Sequence, residues 1–171
     1  MNDPALDGEF VLGVDPGLAT TGWAVLGSTP LRLCDHGTIT TTTEFVLAER
    51  LLQIYSRLNE VLSKHSVSIA AVEGLFYRPG LAKTALLLGH ARGTLLLTLA
   101  NAGIKVVEYP ASEVRKALGV SGRADKDRVK RMIDAILGTS VPGPDHIWDA
   151  TALAICHILR SRNPLMEASK S

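Results

Sequence analysis

The chain has 171 residues, 46% hydrophobic and 20% charged, enough to bury one substantial core and close to the usual size of a single domain. Its 18 Lys and Arg against 17 Asp and Glu leave a formal charge of +1, which excludes a uniformly polycationic coat and an acidic, aromatic-poor disordered chain. A nucleic-acid binder is not excluded, because a local basic stripe acts even where the total cancels. Cys34 and Cys156 show no C-x-x-C spacing, so neither a disulfide framework nor a zinc ribbon is expected, and a reducing compartment follows. The acidic start, with Asp3, Asp7 and Glu9 and no basic residue, is unlike a signal or transit peptide, so a cytoplasmic location is expected. Residues 85–100 are Leu-rich, but His90 and Arg92 interrupt them and they fall short of the roughly 20 apolar residues of a membrane span.

In chain order, residues 10–14, 23–26 and 31–40 read as strands separated by short Gly- or Pro-marked gaps, an antiparallel meander. Thr41-x-x-Glu44 offers a capping box, and Leu47, Leu51, Ile54, Leu58 and Val61 recur at helical spacing. Residues 69–72 form a further apolar strand, 81–101 a Leu-rich helix and 105–108 a last strand. Helices are expected at 112–118, 124–137 and 144–159, with Pro144 suited to a first turn. Strands interleaved with helices mean an α/β or mixed α+β layer architecture. The expected organisation is an extension at 1–9, one domain at 10–160 and a frayed tail at 161–171.

Two apolar runs end alike, in Asp15 and in Glu73. Each carboxylate stands at the C-terminal end of a buried strand, the sheet edge where ligands of open α/β folds bind. Asp15 also suits the turn Asp-Pro-Gly. His146 and Asp149 lie three apart on one face of the last helix, while Asp145 points off that face as a helix-start acid favoured by the dipole. Oxygen and imidazole donors converging from two strands and a helix suit a divalent ion such as Mg²⁺ or Mn²⁺. Between positions 115 and 131 stand seven basic residues (Arg115, Lys116, Arg123, Lys126, Arg128, Lys130, Arg131) and two acids. A carboxylate cluster beside a cationic ridge is what a phosphodiester hydrolase needs: ions to activate water, and Lys or Arg to hold neighbouring phosphates. Phe76, Tyr77 and Arg78, in a loop closed by Pro79-Gly80, set two aromatics and a cation beside that centre, suited to stacking on an unpaired base.

The segments Gly13-Val-Asp15-Pro-Gly17 with Thr21-Gly22, Val72-Glu73-Gly-Leu-Phe76, Gly89-His-Ala-Arg92-Gly93, Gly122-Arg-Ala-Asp-Lys126 and Asp145-His-x-x-Asp149-Ala150 occur in order. Together, over residues 10–160, the chain closely resembles the bacterial RuvC family of Holliday-junction endonucleases. The resemblance implies a ribonuclease-H-like fold, a five-stranded mixed sheet flanked by helices, and a homodimer that cuts two opposed strands of a four-way DNA junction. It implies that Asp15, Glu73, His146 and Asp149 hold two metal ions, that Phe76 contacts the junction centre, and that Arg115 and Lys126 stand near phosphates. RuvA and RuvB are the implied partners. His146 stands where many members carry aspartate. A neutral imidazole is a softer ligand, so Mn²⁺ is expected to be favoured over Mg²⁺, and activity to fall as pH drops through about 6.5. Arg115 stands in a lysine position and cannot donate a proton, which leaves Lys116 or Lys126 for any acid role. Ala85, Gly89 and Gly93 form a line of small residues that admits another helix or packs on the protein's own sheet. Two other readings are a catalytically inactive junction-binding module and an ATP-binding domain of the actin/sugar-kinase type. The second normally duplicates the fold in a longer chain.

Overall fold

A computed structural model describes residues 9–74, 82–120 and 126–162, with the first two residues of the second helix described as backbone only. The order is β1 (Phe10–Asp15), β2 (Thr20–Gly27), β3 (Arg32–Thr40), α1 (Leu47–Lys64), β4 (Val67–Glu73), α2 (Ala82–Asn101), β5 (Lys105–Tyr109), α3 (Ala111–Ala117), α4 (Lys126–Leu137) and α5 (Asp145–Ser161). The strands form one five-stranded sheet in the order β3-β2-β1-β4-β5. β1 to β3 are antiparallel neighbours, as the short gaps between them require, while β4 and β5 run parallel to β1 because helices carry the chain back. The five-stranded mixed sheet flanked by helices that the resemblance implies is the architecture found.

β1 is central and apolar on both sides, so its alternation feeds two cores. Leu12 and Val14 pack with Ile54 and Leu58 of α1 and Leu95 and Leu99 of α2. Val11 packs on the opposite side with Ile147, Ala150 and Ala154 of α5. Leu12 is fully buried, so its truncation to alanine costs about 2–5 kcal/mol. Glycine sets how closely α5 approaches. A Cβ on Gly13 would lie 1.8 Å from the Ala150 carbonyl oxygen, and one on Gly22 would lie 2.0 Å from that of His146. Because Asp15 pairs with Gly22 across the β1–β2 ladder, this seating brings the first turn of α5 onto the end of β1.

Three local expectations need correction. Thr41 does not open a capping box with Glu44: α1 begins at Leu47, and the Glu49 carboxylate accepts the Val46 N–H at 3.3 Å. Thr41 is instead buried, donating to the Leu18 carbonyl at 2.6 Å and accepting from Arg50 Nε at 2.8 Å, so a tertiary bond claims the side chain. Pro144 is the extended cap residue before α5 rather than part of its first turn. α5 also runs on through Ser161, where the tail was expected to begin.

Candidate active site

Asp15 and Glu73 end adjacent parallel strands, one residue beyond the Val14–Val72 pairing. The two-residue period of a strand puts both on the α5 side, with Val11 and Ala71 below them in that core. The Asp15 loop is closed locally: Thr21 Oγ1 donates to the Gly17 carbonyl at 2.7 Å and accepts the Gly17 N–H at 3.3 Å. This gives the Asp-Pro-Gly segment and the following Thr-Gly a shared physical purpose. α5 supplies His146 and Asp149, and Asp15 Oδ2 lies 2.7 Å from His146 Nδ1.

Asp15 is buried, and burial raises its pKa, opposed by the hydrogen bond and charge of His146 and then by Lys126. Glu73 is raised by burial first, then by the negative charges of Asp15 and Asp149, against Arg92 and Arg115. Asp149 is pushed up to about 6, by the surrounding protein first and by Asp15 second. Its own surface is open to water, which places it in the mouth of a concavity and weakens the energetic consequence of that shift. Three carboxylates thus resist ionising together.

Cations border the acids. Lys126 Nζ is paired with the Asp145 carboxylate, whose hydrogen bond raises the lysine pKa and lowers that of the aspartate. Arg115 is half-buried and Lys116 exposed on α3. Glu73, Arg115, Lys126 and Asp149 line a cleft of about 240 Å³ over an apolar floor that includes Leu118 and Trp148. Among the described residues, no group of three or more His, Cys, Asp or Glu side chains is placed to hold a metal ion as the side chains stand. The donor chemistry nonetheless fits hard divalent ions, since mutually repelling carboxylates beside an imidazole gain most from added positive charge.

The structure therefore brings Asp15, Glu73, His146 and Asp149 into one neighbourhood with Arg115 and Lys126. It divides the basic stretch. Lys130 Nζ lies 2.6 Å from the Asp134 carboxylate and 5.3 Å from the centre of the Trp148 ring, so it is held by its own domain rather than presented outward. Phe76, Tyr77, Arg78 and Arg123 lie outside the described residues.

Two participants escaped the sequence reading. Asp145, read only as a helix-start acid, holds Lys126. Arg92, read as an interruption of an apolar helix, is 4% exposed and reaches the sheet edge, donating to the Glu73 carbonyl and pairing with Glu108 at 2.7 Å. The available signal was its place beside Ala91 on a buried stripe, where a guanidinium needs partners.

The family profile described as crossover junction endodeoxyribonuclease RuvC matches residues 11–157. The protein of that name from Roseiflexus sp. (strain RS-1) is 44% identical over 149 residues, covering 85% of this chain and 88% of that protein. The one from Caldicellulosiruptor saccharolyticus is 36% identical over 161 residues, covering 92% and 96%. Among solved structures, Thermus thermophilus RuvC in complex with a Holliday junction substrate superposes with a TM-score of 0.81 at 31% identity, over 90% of this chain and 95% of that one. The yeast mitochondrial Holliday junction resolvase Ydc2, at 14% identity, shares the fold with a TM-score of 0.64, over 95% of this chain and 85% of that one.

Proposed function

Because the chain belongs to the RuvC family of crossover junction endodeoxyribonucleases, which resolve Holliday junctions, we propose that Asp15, Glu73, His146 and Asp149 form its hydrolytic centre. They hold two divalent ions and nick two opposed strands symmetrically, leaving 5′-phosphate and 3′-hydroxyl ends. The observation that carries this is the meeting of three carboxylates with raised pKa values at two parallel strand ends and one helix, beside Lys126 and Arg115. Bound there, Mg²⁺ or Mn²⁺ supplies Lewis acidity that lowers the pKa of water and stabilises the departing oxygen.

The protein's own groups do the rest. Asp15 stands at the closed Gly17–Thr21 loop, and the His146 contact sets its orientation. Arg115 and Lys126 hold phosphates on the cleft wall. The hydrogen bond to Asp145 raises the Lys126 pKa and so keeps it a cation beside the cleft. Lys116, Arg123 and the segment Phe76, Tyr77 and Arg78 extend the DNA contact. His146 favours Mn²⁺ over Mg²⁺, and His146→Asp is expected to shift that ranking, an unchanged ranking contradicting the assignment. The protein works as a cytoplasmic homodimer: Leu86 and Leu97 are exposed on α2, and so are Gly89 and Gly93, an apolar face that a two-fold partner covers. RuvA and RuvB are its proposed partners.

The test is incubation with a synthetic four-way junction, a nicked duplex and a linear duplex, with Mg²⁺ or Mn²⁺. Paired symmetric nicks on the junction alone are expected, lost in Asp15→Asn while junction binding persists. Binding without cutting by the unaltered chain supports an inactive module instead, and ATP turnover the kinase-like reading. Cutting by Asp15→Asn breaks the ligand assignment.

A further inference from the structure

We propose that Arg92 is a positioning residue for the hydrolytic centre, acting through Glu73 from the opposite side of the sheet; this rests on Glu73 being a metal-holding carboxylate. β4 ends at Glu73 and β5 one residue past Glu108, and the two strands pair Val72 with Glu108 and Glu73 with Tyr109. Strand alternation sends the Glu73 side chain toward α5 and the Glu108 side chain toward α2. Arg92 rises from α2 between these ends. Its Nη2 lies 2.7 Å from Glu108 Oε2, and its Nη1 donates to the carbonyl of Glu73.

A planar guanidinium with its stem buried is suited to hold two acceptors at a fixed separation, which a flexible ammonium cannot do. The Glu73 carbonyl is the last backbone acceptor of β4 on this side, and just beyond it the Gly74 N–H donates to the Tyr109 carbonyl at 2.9 Å. Arg92 and this backbone bond together fix the direction in which the chain presents the Glu73 carboxylate. Glu108 is half-exposed, so its role is to orient the guanidinium rather than to complete a sealed ion pair. Side chains that orient a ligand without touching the metal typically change affinity or activity about 10- to 100-fold when removed. Arg92 touches neither the reacting atoms nor the DNA in this assignment.

The test compares Arg92→Gln, Arg92→Lys and Glu108→Gln with the unaltered full-length protein. In the metal-free protein, Arg92→Gln is expected to speed hydrogen exchange at the Gly74 amide. Calorimetric titration with Mn²⁺ alone is expected to show about tenfold weaker binding, with kcat on a four-way junction down about 10- to 100-fold and KM within about twofold. Arg92→Lys restores part of this, and Glu108→Gln changes it least. Unchanged Mn²⁺ affinity and kcat in Arg92→Gln overturn the proposal, as does a fall confined to KM. Should Arg92→Gln not fold, Arg92→Lys decides, because full Mn²⁺ affinity and kcat in that variant show that a two-acceptor fork is not needed. Glu73→Gln separates the two levels: if it cuts and binds Mn²⁺ normally, the ligand assignment of Glu73 fails, whereas a dead Glu73→Gln with a normal Arg92→Gln removes Arg92 alone.

Discussion

On the α5 side of the sheet glycine is covered, and on the α2 side it is open. Gly13 and Gly22 lie so close to the carbonyls of Ala150 and His146 that a methyl group has no room, whereas Gly89 and Gly93 have, beyond their own chain neighbours and helix backbone, no described heavy atom within 4 Å of where their Cβ atoms would be. The same residue type therefore marks two kinds of close approach. One is already made, by the protein's own helix, and it sets His146 against Asp15. The other is open, between the exposed leucines of α2, where the proposed homodimer would bring a partner helix. A sequence shows only that the side chain is missing; the burial of the neighbours says which kind it is. Leu95 and Leu99 turn inward, and so the glycine line turns outward.

The largest effect expected from breaking this contrast is at Gly13. Gly13→Ala forces β1 and α5 apart, costing about 3 kcal/mol by overpacking, read in urea denaturation. Cleavage should fall with it, because the Asp15–His146 contact depends on that seating. Gly93→Ala should do the reverse to the protomer, strengthening α2 by up to about 1 kcal/mol through helix propensity; on the proposed homodimer, a bulkier Gly93→Leu weakens self-association in sedimentation without unfolding the protomer. If Gly13→Ala is as stable as Gly93→Ala, the covered and open glycines do not differ as described.

The chemistry on the covered side is itself a source of instability. Asp149, with its pKa near 6 against an ordinary 3.8, makes the metal-free folded state bind more protons than the unfolded chain between those pH values, so stability falls as pH rises through the window and the full penalty applies above about 6. Asp149→Asn is therefore expected to stabilise the metal-free protein at pH 7.5, by about 1 kcal/mol after allowing for solvent at the open carboxyl, with the gain fading below about pH 4. Thermal melts of both proteins in a metal chelator across pH 3.5 to 8 check the sign. A gain that persists at low pH would instead point to packing. Saturating Mn²⁺ should narrow the difference at pH 7.5, because the aspartate form, with its third carboxylate donor, gains more from the ions than the asparagine form.

Much of this was legible in the sequence for physical reasons. β1 and β4 read as strands because a strand buried on both faces is a continuous apolar run, and each run stops at a carboxylate, so fold and site came from one pattern. The spacing of His146 and Asp149 fixed their shared helical face. What the pattern did not carry was pairing between charges distant in the chain. Asp145 and Lys126 are nineteen positions apart, as are Arg92 and Glu73, and nothing local distinguishes an arginine that crosses to a strand end from one that faces water. Thr41 misled for the same reason: its motif was local, but its partners, Leu18 and Arg50, are not both.

The smallest effect expected concerns Lys130, where the inward and outward uses of one residue type meet on a single helix. Lys126 opens onto the cleft with the acids, while Lys130, one turn later on α4, lies between Asp134 and the Trp148 ring. Each phosphate contact adds close to one unit to the slope of log K against log salt on duplex DNA, so a lysine that neutralises a phosphate and one that neutralises its own helix differ in that slope whatever they do to affinity at one salt concentration. Lys126→Gln should reduce the slope for junction binding by about one. Lys130→Gln should leave it unchanged and lower stability by a few tenths of a kcal/mol to about 1, the range of an i to i+4 pair with an added ring contact. A slope lowered by about one in both variants would mean that Lys130 leaves Asp134 when DNA arrives. The Asp134 carboxylate would not then be stranded, since its other oxygen still accepts the Val141 N–H at 2.8 Å, and this second bond is why the stability change is expected to be so small.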